Sequence, residues 1–191
     1  MEYSNHKVGG VLLIIAAAQF ILGVMVAEAL HPGYSISKST VSYLGIGPYP
    51  ISTMVFNVSV FLLGLLIIIG TYFLQRAFNI KIFTILLTLT ALGFMGVGIF
   101  NHNSGLTHFI AAVFAFLFGG LSAIYSYKLI KRPFSLINVI LGLITLSASV
   151  LYLVEQYLGL GPGGMERLMV YPIVIWMIGF SGYLIALPEK S

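Results

Sequence analysis

Charged residues and cysteine are what this sequence most lacks. Only 7% of its 191 residues are charged, against roughly 25% in soluble domains. Hydrophobic residues make up 59% of the chain, and the mean hydropathy is +1.05. This composition excludes a soluble globular domain. The absence of cysteine excludes disulfides, thiolate metal sites and cysteine nucleophiles, and it leaves the cellular compartment open.

Six hydrophobic runs are each long enough to cross about 30 Å of hydrocarbon, which takes about 20 helical residues. The sequence therefore predicts an all-α polytopic integral membrane protein, built as a single six-helix transmembrane domain over residues 1–191. The first run exceeds the roughly 7–15 apolar residues of a secretory signal, so we expect a retained helix. The six predicted spans are residues 8–30, 52–73, 80–100, 107–128, 135–155 and 165–187.

The basic residues are distributed asymmetrically between alternate connections. The positive-inside rule predicts that the side with more basic residues is cytoplasmic, together with both termini. The formal net charge of +4 is thus interpreted as a topology signal, and nucleic acid is not a predicted partner. On the cytoplasmic side we place Lys7, Arg76, Lys81, Lys128, Lys131, Arg132 and Lys190, and on the outer side only Lys38 and Arg167.

The first outer connection, residues 31–51, is too long for a simple turn between antiparallel helices, which usually takes about 2–8 residues. Ser35 is a suitable N-cap, and Ile36, Val41 and Leu44 could share one apolar side before Gly45 ends the helix. We therefore expect a short interfacial helix within residues 31–51, covering the outer mouth of the bundle.

The second outer connection, GIFNHNSGLTHF, contains two of the four histidines. His102 and His108 are catalytic candidates as general bases, with Glu28 as a further candidate. They lie six residues apart, which does not match the metal-ligand spacing of two histidines on one helical turn. No metal or other cofactor is predicted, because a metal would require a carboxylate such as Glu155 to converge with both imidazoles. The alternative is that the histidines are ordinary loop and cap residues.

The third outer connection, GLGPGGMERL, has features of an anion site. Glycines such as Gly163 and Gly164 expose backbone amides, and the following helix adds a positive dipole beside Arg167. Glu166 belongs to the same candidate ligand set, as does Asn57 on the same side of the second span. The alternative is a glycine turn with Glu166 in the first helical turn. If Arg167 pairs with Glu28 or Glu155, the pair would satisfy charges that are costly near hydrocarbon.

The fourth span carries a stripe of small residues at four-residue spacing. Such a stripe permits close approach between helix backbones, so we expect the fourth helix to be central in the bundle. The stripe consists of Ala111, Ala115, Gly119 and Ala123.

Several landmarks along the chain resemble an uncharacterised prokaryotic membrane-protein family, domain of unknown function 998. They are VSYLG at 41–45, FN at 56–57, GVGIF at 96–100, HFIAAVFAF from residue 108 and GGMERLMVYPIVIW at 163–176. The resemblance covers most of the chain. It implies a six-helix protein of a prokaryotic plasma membrane, with an archaeal source expected, and it implies no particular reaction.

Three functions remain open from the sequence. The leading hypothesis is a non-catalytic protein with an outward-facing polar mouth, which binds membrane lipids or serves as an accessory or scaffold subunit of a membrane complex. The alternative is an intramembrane enzyme that modifies a lipid or isoprenoid through a His/Glu or metal site. A small transporter is the third, disfavoured because few polar groups lie at mid-membrane and no segment carries buried carboxylates.

Overall fold

The computed structural model describes residues 4–188. This part of the chain is all-helical and contains no strand. Each of its six long helices is long and apolar enough to cross a membrane, which confirms the predicted architecture. The helices are α1 (Asn5–Ala29), α2 (Pro50–Phe78), α3 (Lys81–Ile99), α4 (Leu106–Tyr125), α5 (Phe134–Leu153) and α6 (Gly161–Ala186).

Local sequence signals set the ends of α2, which extends beyond its predicted span. Pro50 opens the helix, where its fixed φ suits the first turn and its missing N–H costs nothing. The helix ends at Asn79, which adopts a left-handed conformation with φ of 53°. Asparagine tolerates this conformation better than most residues. Only Asn79 and Ile80 then separate α2 from α3, which forces the two helices into an antiparallel hairpin.

Consecutive helices pack against each other around the bundle, and α6 closes the ring against α1. Helix α6 also contacts α4 and α5, and a larger share of it is buried than of any other helix. The expectation that α4 is central is therefore wrong. The small-residue stripe is buried, but it serves mainly the contact between α4 and α3.

That contact depends on Gly93 of α3. A Cβ at this position would lie 2.2 Å from the backbone nitrogen of Ala115 on α4. The two backbones are thus in direct contact, as expected where small residues face each other. The stripe predicted a close helix pair correctly but not its place in the bundle.

A buried polar cluster joins α5 and α6 to the C-terminal end of α4. The hydroxyl of Ser126 accepts hydrogen bonds from Asn138 Nδ2 at 2.7 Å and from Trp176 Nε1 at 3.0 Å. It also donates to the Ala123 carbonyl at 2.7 Å. All three side chains of this cluster are almost completely buried, so each buried donor has a partner, as a low-dielectric interior requires.

The connection between α1 and α2 contains a short 3₁₀ helix, Val41–Gly45, instead of the longer helix expected from Ser35. Ser35 instead caps a turn, because its hydroxyl accepts from the Lys38 N–H at 3.3 Å. Val41 and Leu44 of the 3₁₀ helix are buried, but Ile36 is 60% exposed and does not share their apolar side as expected. This connection, together with residues 100–105, residues 154–160 and the start of α6, forms what we call the mouth end of the bundle.

Candidate functional site

The α1–α2 connection lies directly on the first turns of α6. The Gly163 N–H donates to the Ser37 carbonyl at 2.9 Å, and the Ser37 hydroxyl donates to the Leu160 carbonyl at 2.7 Å. A Cβ on Gly163 would lie 2.2 Å from the Ser39 carbonyl oxygen. Glycine is therefore required at this position by the close approach of two backbones.

Arg167 is the centre of a polar cluster beneath this connection. Its Nη2 donates to Glu28 at 2.5 Å and to the Tyr34 hydroxyl at 2.8 Å. Its Nη1 donates to the carbonyls of Ile36 at 2.9 Å and Gly163 at 3.0 Å. The side chain of Arg167 is 9% exposed and that of Glu28 is 21% exposed. The guanidinium thus joins α1, α6 and the connection through its planar set of donors.

Tyr34 completes this cluster as a neutral phenol. Burial raises the pKa of Tyr34 to about 12, although the hydrogen bond from Arg167 opposes the shift. The hydroxyl therefore stays protonated at neutral pH. It accepts from Arg167 and donates to the Thr40 carbonyl at 3.0 Å. The ring of Tyr34 also lies 5.7 Å from that of His31, centroid to centroid.

Glu166 points away from the Arg167 cluster and binds the 3₁₀ helix. The Ser42 hydroxyl donates to Glu166 Oε1 at 2.5 Å, and the Ser42 N–H lies 3.3 Å and 3.4 Å from the two carboxylate oxygens. Glu166 is only 6% exposed. Arg167 forms its ion pair with Glu28. Glu166 therefore has no cationic partner within residues 4–188.

A cavity of about 610 Å³ opens beside Glu166, between α4, α5 and α6. This volume lies within the roughly 300–1,000 Å³ of typical ligand sites. Most of the cavity wall is apolar, and its polar groups gather at the mouth end. The cavity is lined by Thr40, Ser42, His102, Gly105, His108, Phe109, Ala112, Val113, Phe116, Leu117, Leu146, Ser149, Val150, Tyr152, Leu153, Glu166 and Met169.

The cavity exists because α4 and α5 touch at one level and separate toward the mouth end. They touch at Gly120 and Gly142, where a Cβ on Gly142 would lie 2.5 Å from the Gly120 carbonyl oxygen. His108 lies twelve residues before this contact on α4, which is about 18 Å at 1.5 Å per residue. Because the helices diverge over this length, their facing side chains leave a space that α6 closes from behind.

The two histidines of the second outer connection lie together at the polar end of the cavity. Their ring centroids are 5.5 Å apart. His108 is buried and its Nδ1 lies 2.7 Å from the Phe100 carbonyl oxygen. Since a carbonyl can only accept, Nδ1 carries a proton, and Nε2 is an acceptor when the ring is neutral. His102 is exposed and begins the short 3₁₀ helix His102–Ser104.

The predicted catalytic candidates are thus divided between two places. His102 and His108 line the cavity, and the carboxylate beside them is that of Glu166. Glu28 binds Arg167 instead, and Glu155 is exposed. No three His, Cys, Asp or Glu side chains of residues 4–188 are grouped to hold a metal, so the set of His102, His108 and Glu155 does not form a metal site there.

The predicted anion site is not assembled as expected. Helix α6 begins at Gly161, before the predicted start, so Gly163 and Gly164 lie inside its first turns. The Gly163 amide is already used by Ser37, and Arg167 is used by Glu28. Asn57 donates to the Gly45 carbonyl at 3.1 Å and so fixes the 3₁₀ helix on α2.

Sequence reasoning missed Ser42, the main partner of Glu166. In the sequence, Ser42 is part of the VSYLG segment. A serine between the buried residues Val41 and Leu44 indicates a buried polar contact. The sequence also did not predict the role of Tyr34 or the cluster of aromatic rings around His31. His31 lies between Tyr34, Tyr43 and Tyr49, and its buried Nδ1 has no hydrogen-bond partner among residues 4–188.

Comparisons with known proteins give one match, and it covers most of the chain. No curated protein and no solved structure matches the sequence. The sequence model of one family, described as "Protein of unknown function (DUF998)", matches residues 14–182. The match begins within α1 and ends within α6, so it includes α2 to α5 and both Glu166 and Arg167. The chain therefore belongs to the DUF998 family of uncharacterised membrane proteins.

Proposed function

We propose that the protein binds a membrane lipid in the cavity between α4, α5 and α6. The observation that carries this proposal is the form of the cavity, which has apolar walls along its length and polar groups at one end. A hydrocarbon chain would occupy the apolar part, where it would exchange its contacts with lipid for similar contacts with apolar side chains. The headgroup would lie near Ser42, His108 and Glu166.

The cavity is accessible from the side of the bundle. Several lining residues are also exposed on the helix surface that faces hydrocarbon in a membrane, namely Phe109, Leu117, Val150 and Leu153. A lipid chain could enter between α4 and α5 without crossing an aqueous region. This side opening favours a lipid over a water-soluble ligand.

A matched pair of substitutions tests the proposal. Val113→Trp places a large side chain in the cavity, whereas Val58→Trp makes the same change on an exposed surface of α2. Native mass spectrometry of the detergent-purified protein would count retained lipids. We expect the wild type and Val58→Trp to retain one lipid more than Val113→Trp. Equal retention by all three proteins, or none by the wild type, would reject the proposal.

A second candidate function is an intramembrane enzyme that modifies a lipid or isoprenoid. It is favoured by one observation, the short hydrogen bond from Ser42 to Glu166 beside His108 at the end of the same cavity. His108 would act as the general base and Glu166 as the carboxylate partner. Turnover of an isotope-labelled lipid that His108→Ala abolishes would support this function, and unchanged lipid after incubation would count against it.

We propose that the mouth end faces outward in a prokaryotic plasma membrane, with both termini in the cytoplasm, because the basic residues concentrate at the other end. The lack of cysteine allows a direct test. A membrane-impermeant thiol reagent should label Asn103→Cys in intact cells and should not label Lys131→Cys. The reverse pattern would invert the orientation. An accessory-subunit role stays a prediction, which co-purification in mild detergent tests.

A further inference from the structure

We infer that the lipid bound in this cavity carries a primary ammonium group, for which Glu166 is the counter-ion. This inference rests on the proposed lipid-binding function and adds the chemical class of the headgroup. It comes from the charges and hydrogen-bonding groups at the polar end of the cavity.

The first argument is the uncompensated charge of Glu166. A buried carboxylate is costly unless it is paired or fully hydrogen-bonded. Glu166 is 6% exposed, and Ser42 alone supplies its hydrogen bonds within the described part of the chain. The neighbouring guanidinium of Arg167 is held by Glu28. Within residues 4–188, the carboxylate of Glu166 at the polar end of the cavity thus has no positive charge paired with it.

The second argument is that this end of the cavity mainly accepts hydrogen bonds. A carboxylate has about four lone-pair positions, and the Ser42 donors use only part of them. In the neutral form of His108, Nε2 is a further acceptor, because Nδ1 donates to the Phe100 carbonyl. A ligand that matches these groups must bring donors together with a positive charge.

Common phospholipid headgroups differ in their charge and in the hydrogen-bond donors that they carry. A primary ammonium is cationic and has three N–H donors. A quaternary choline has the same charge but no N–H, so it cannot bond to either acceptor. A glycerol headgroup has hydroxyl donors but no cation, so the phosphate that all three phospholipids share leaves it with a net negative charge, which Glu166 would repel. The primary ammonium is therefore the best match.

Three phospholipids with identical palmitoyl and oleoyl chains test the inference. They carry ethanolamine, choline or glycerol headgroups and would be offered in equal amounts to the delipidated protein, with bound lipid counted by native mass spectrometry. We expect about tenfold preference for the ethanolamine lipid over the choline lipid, which corresponds to about 1.4 kcal/mol, because choline cannot donate a hydrogen bond to the carboxylate.

Two glutamate variants test whether the headgroup preference depends on Glu166. Glu166→Gln keeps an acceptor for Ser42 but removes the charge, and we expect its preference to fall below about twofold, on the same arithmetic. Glu155→Gln removes an exposed glutamate at the same end and should keep the wild-type preference. Fluorescence of the single, buried Trp176 would verify that both variants are folded.

The outcomes separate the two proposals. Lipid retained by the wild type without headgroup preference, or a preference that survives in Glu166→Gln, would overturn the ammonium inference and leave lipid binding intact. If Val113→Trp retains as much lipid as the wild type, or if the wild type retains none, the proposed function itself would be overturned. A preference that is lost only in Glu166→Gln would support both.

Discussion

Arg167→Ala should destabilise the protein far more than Lys38→Ala. Removal of the guanidinium leaves Glu28, whose side chain is 21% exposed, as an uncompensated charge. Breaking a buried ion pair from one side costs about 3–5 kcal/mol, and the partial exposure of Glu28 favours the lower end of this range. The carbonyls of Ile36 and Gly163 also lose a donor. Lys38 is exposed, so its replacement should change the unfolding free energy by less than about 0.5 kcal/mol.

The assay is unfolding in mixed micelles, monitored by the fluorescence of Trp176, which is 1% exposed. A double-mutant cycle isolates the ion pair from the other contacts. Because Arg167→Met combined with Glu28→Gln removes both charges, it should cost less than Arg167→Met alone. Equal tolerance of the alanine variants at 167 and 38, together with an additive cycle, would refute a structural role for this pair.

Two further predictions concern packing. Gly93→Ala should lower the melting temperature sharply, because its Cβ would lie 2.2 Å from the α4 backbone, whereas Gly179→Ala, with no atom within 4 Å, should be neutral or slightly stabilising. Ser126→Ala should lower the free energy of unfolding by about 1–3 kcal/mol for each buried donor that it leaves unpaired. It should also shift the emission of Trp176. Ser147→Ala, at an exposed position, should cause neither change. Similar melting temperatures within either pair would contradict the corresponding contact.

Hydrophobic run length was sufficient to predict the six helices, but not their ends. The sequence rule locates the part of a helix that crosses hydrocarbon. Helix α2 continues to Phe78 because Gln75 and Arg76 extend it beyond the apolar run. Helix α6 begins at Gly161, although its glycines predict a turn, because Gly163 is held in the helix by the connection that packs on it.

The polar residues of the mouth end could be assigned to one side of the membrane from the alternation of spans. Their partners could not be assigned in the same way. Glu28 and Arg167 are 139 residues apart, and either Glu28 or Glu155 was a suitable partner on charge alone. The choice depends on the packing of α6 against α1, which one sequence does not specify.

The cavity was the least predictable feature. Its position depends on where α4 and α5 touch, and Gly120 and Gly142 belong to an excess of small residues in these helices that offers several alternative contact points. The lining residues are ordinary membrane-helix side chains. Polar lining residues, among them Ser42, Glu166 and the histidines, distinguish this space from an ordinary packing gap of the bundle.

The two polar clusters of the mouth end are linked through the geometry of α6. Successive residues on a helix point about 100° apart, so Arg167 and Glu166 cannot face the same partner. Because Glu28, Tyr34 and two carbonyls hold Arg167 against α1 and the connection, the rotation of α6 about its axis is fixed. That rotation directs Glu166 to Ser42 and the cavity. The ion pair therefore has a positioning role, since it orients Glu166, which has no cationic partner within residues 4–188, toward the proposed lipid site.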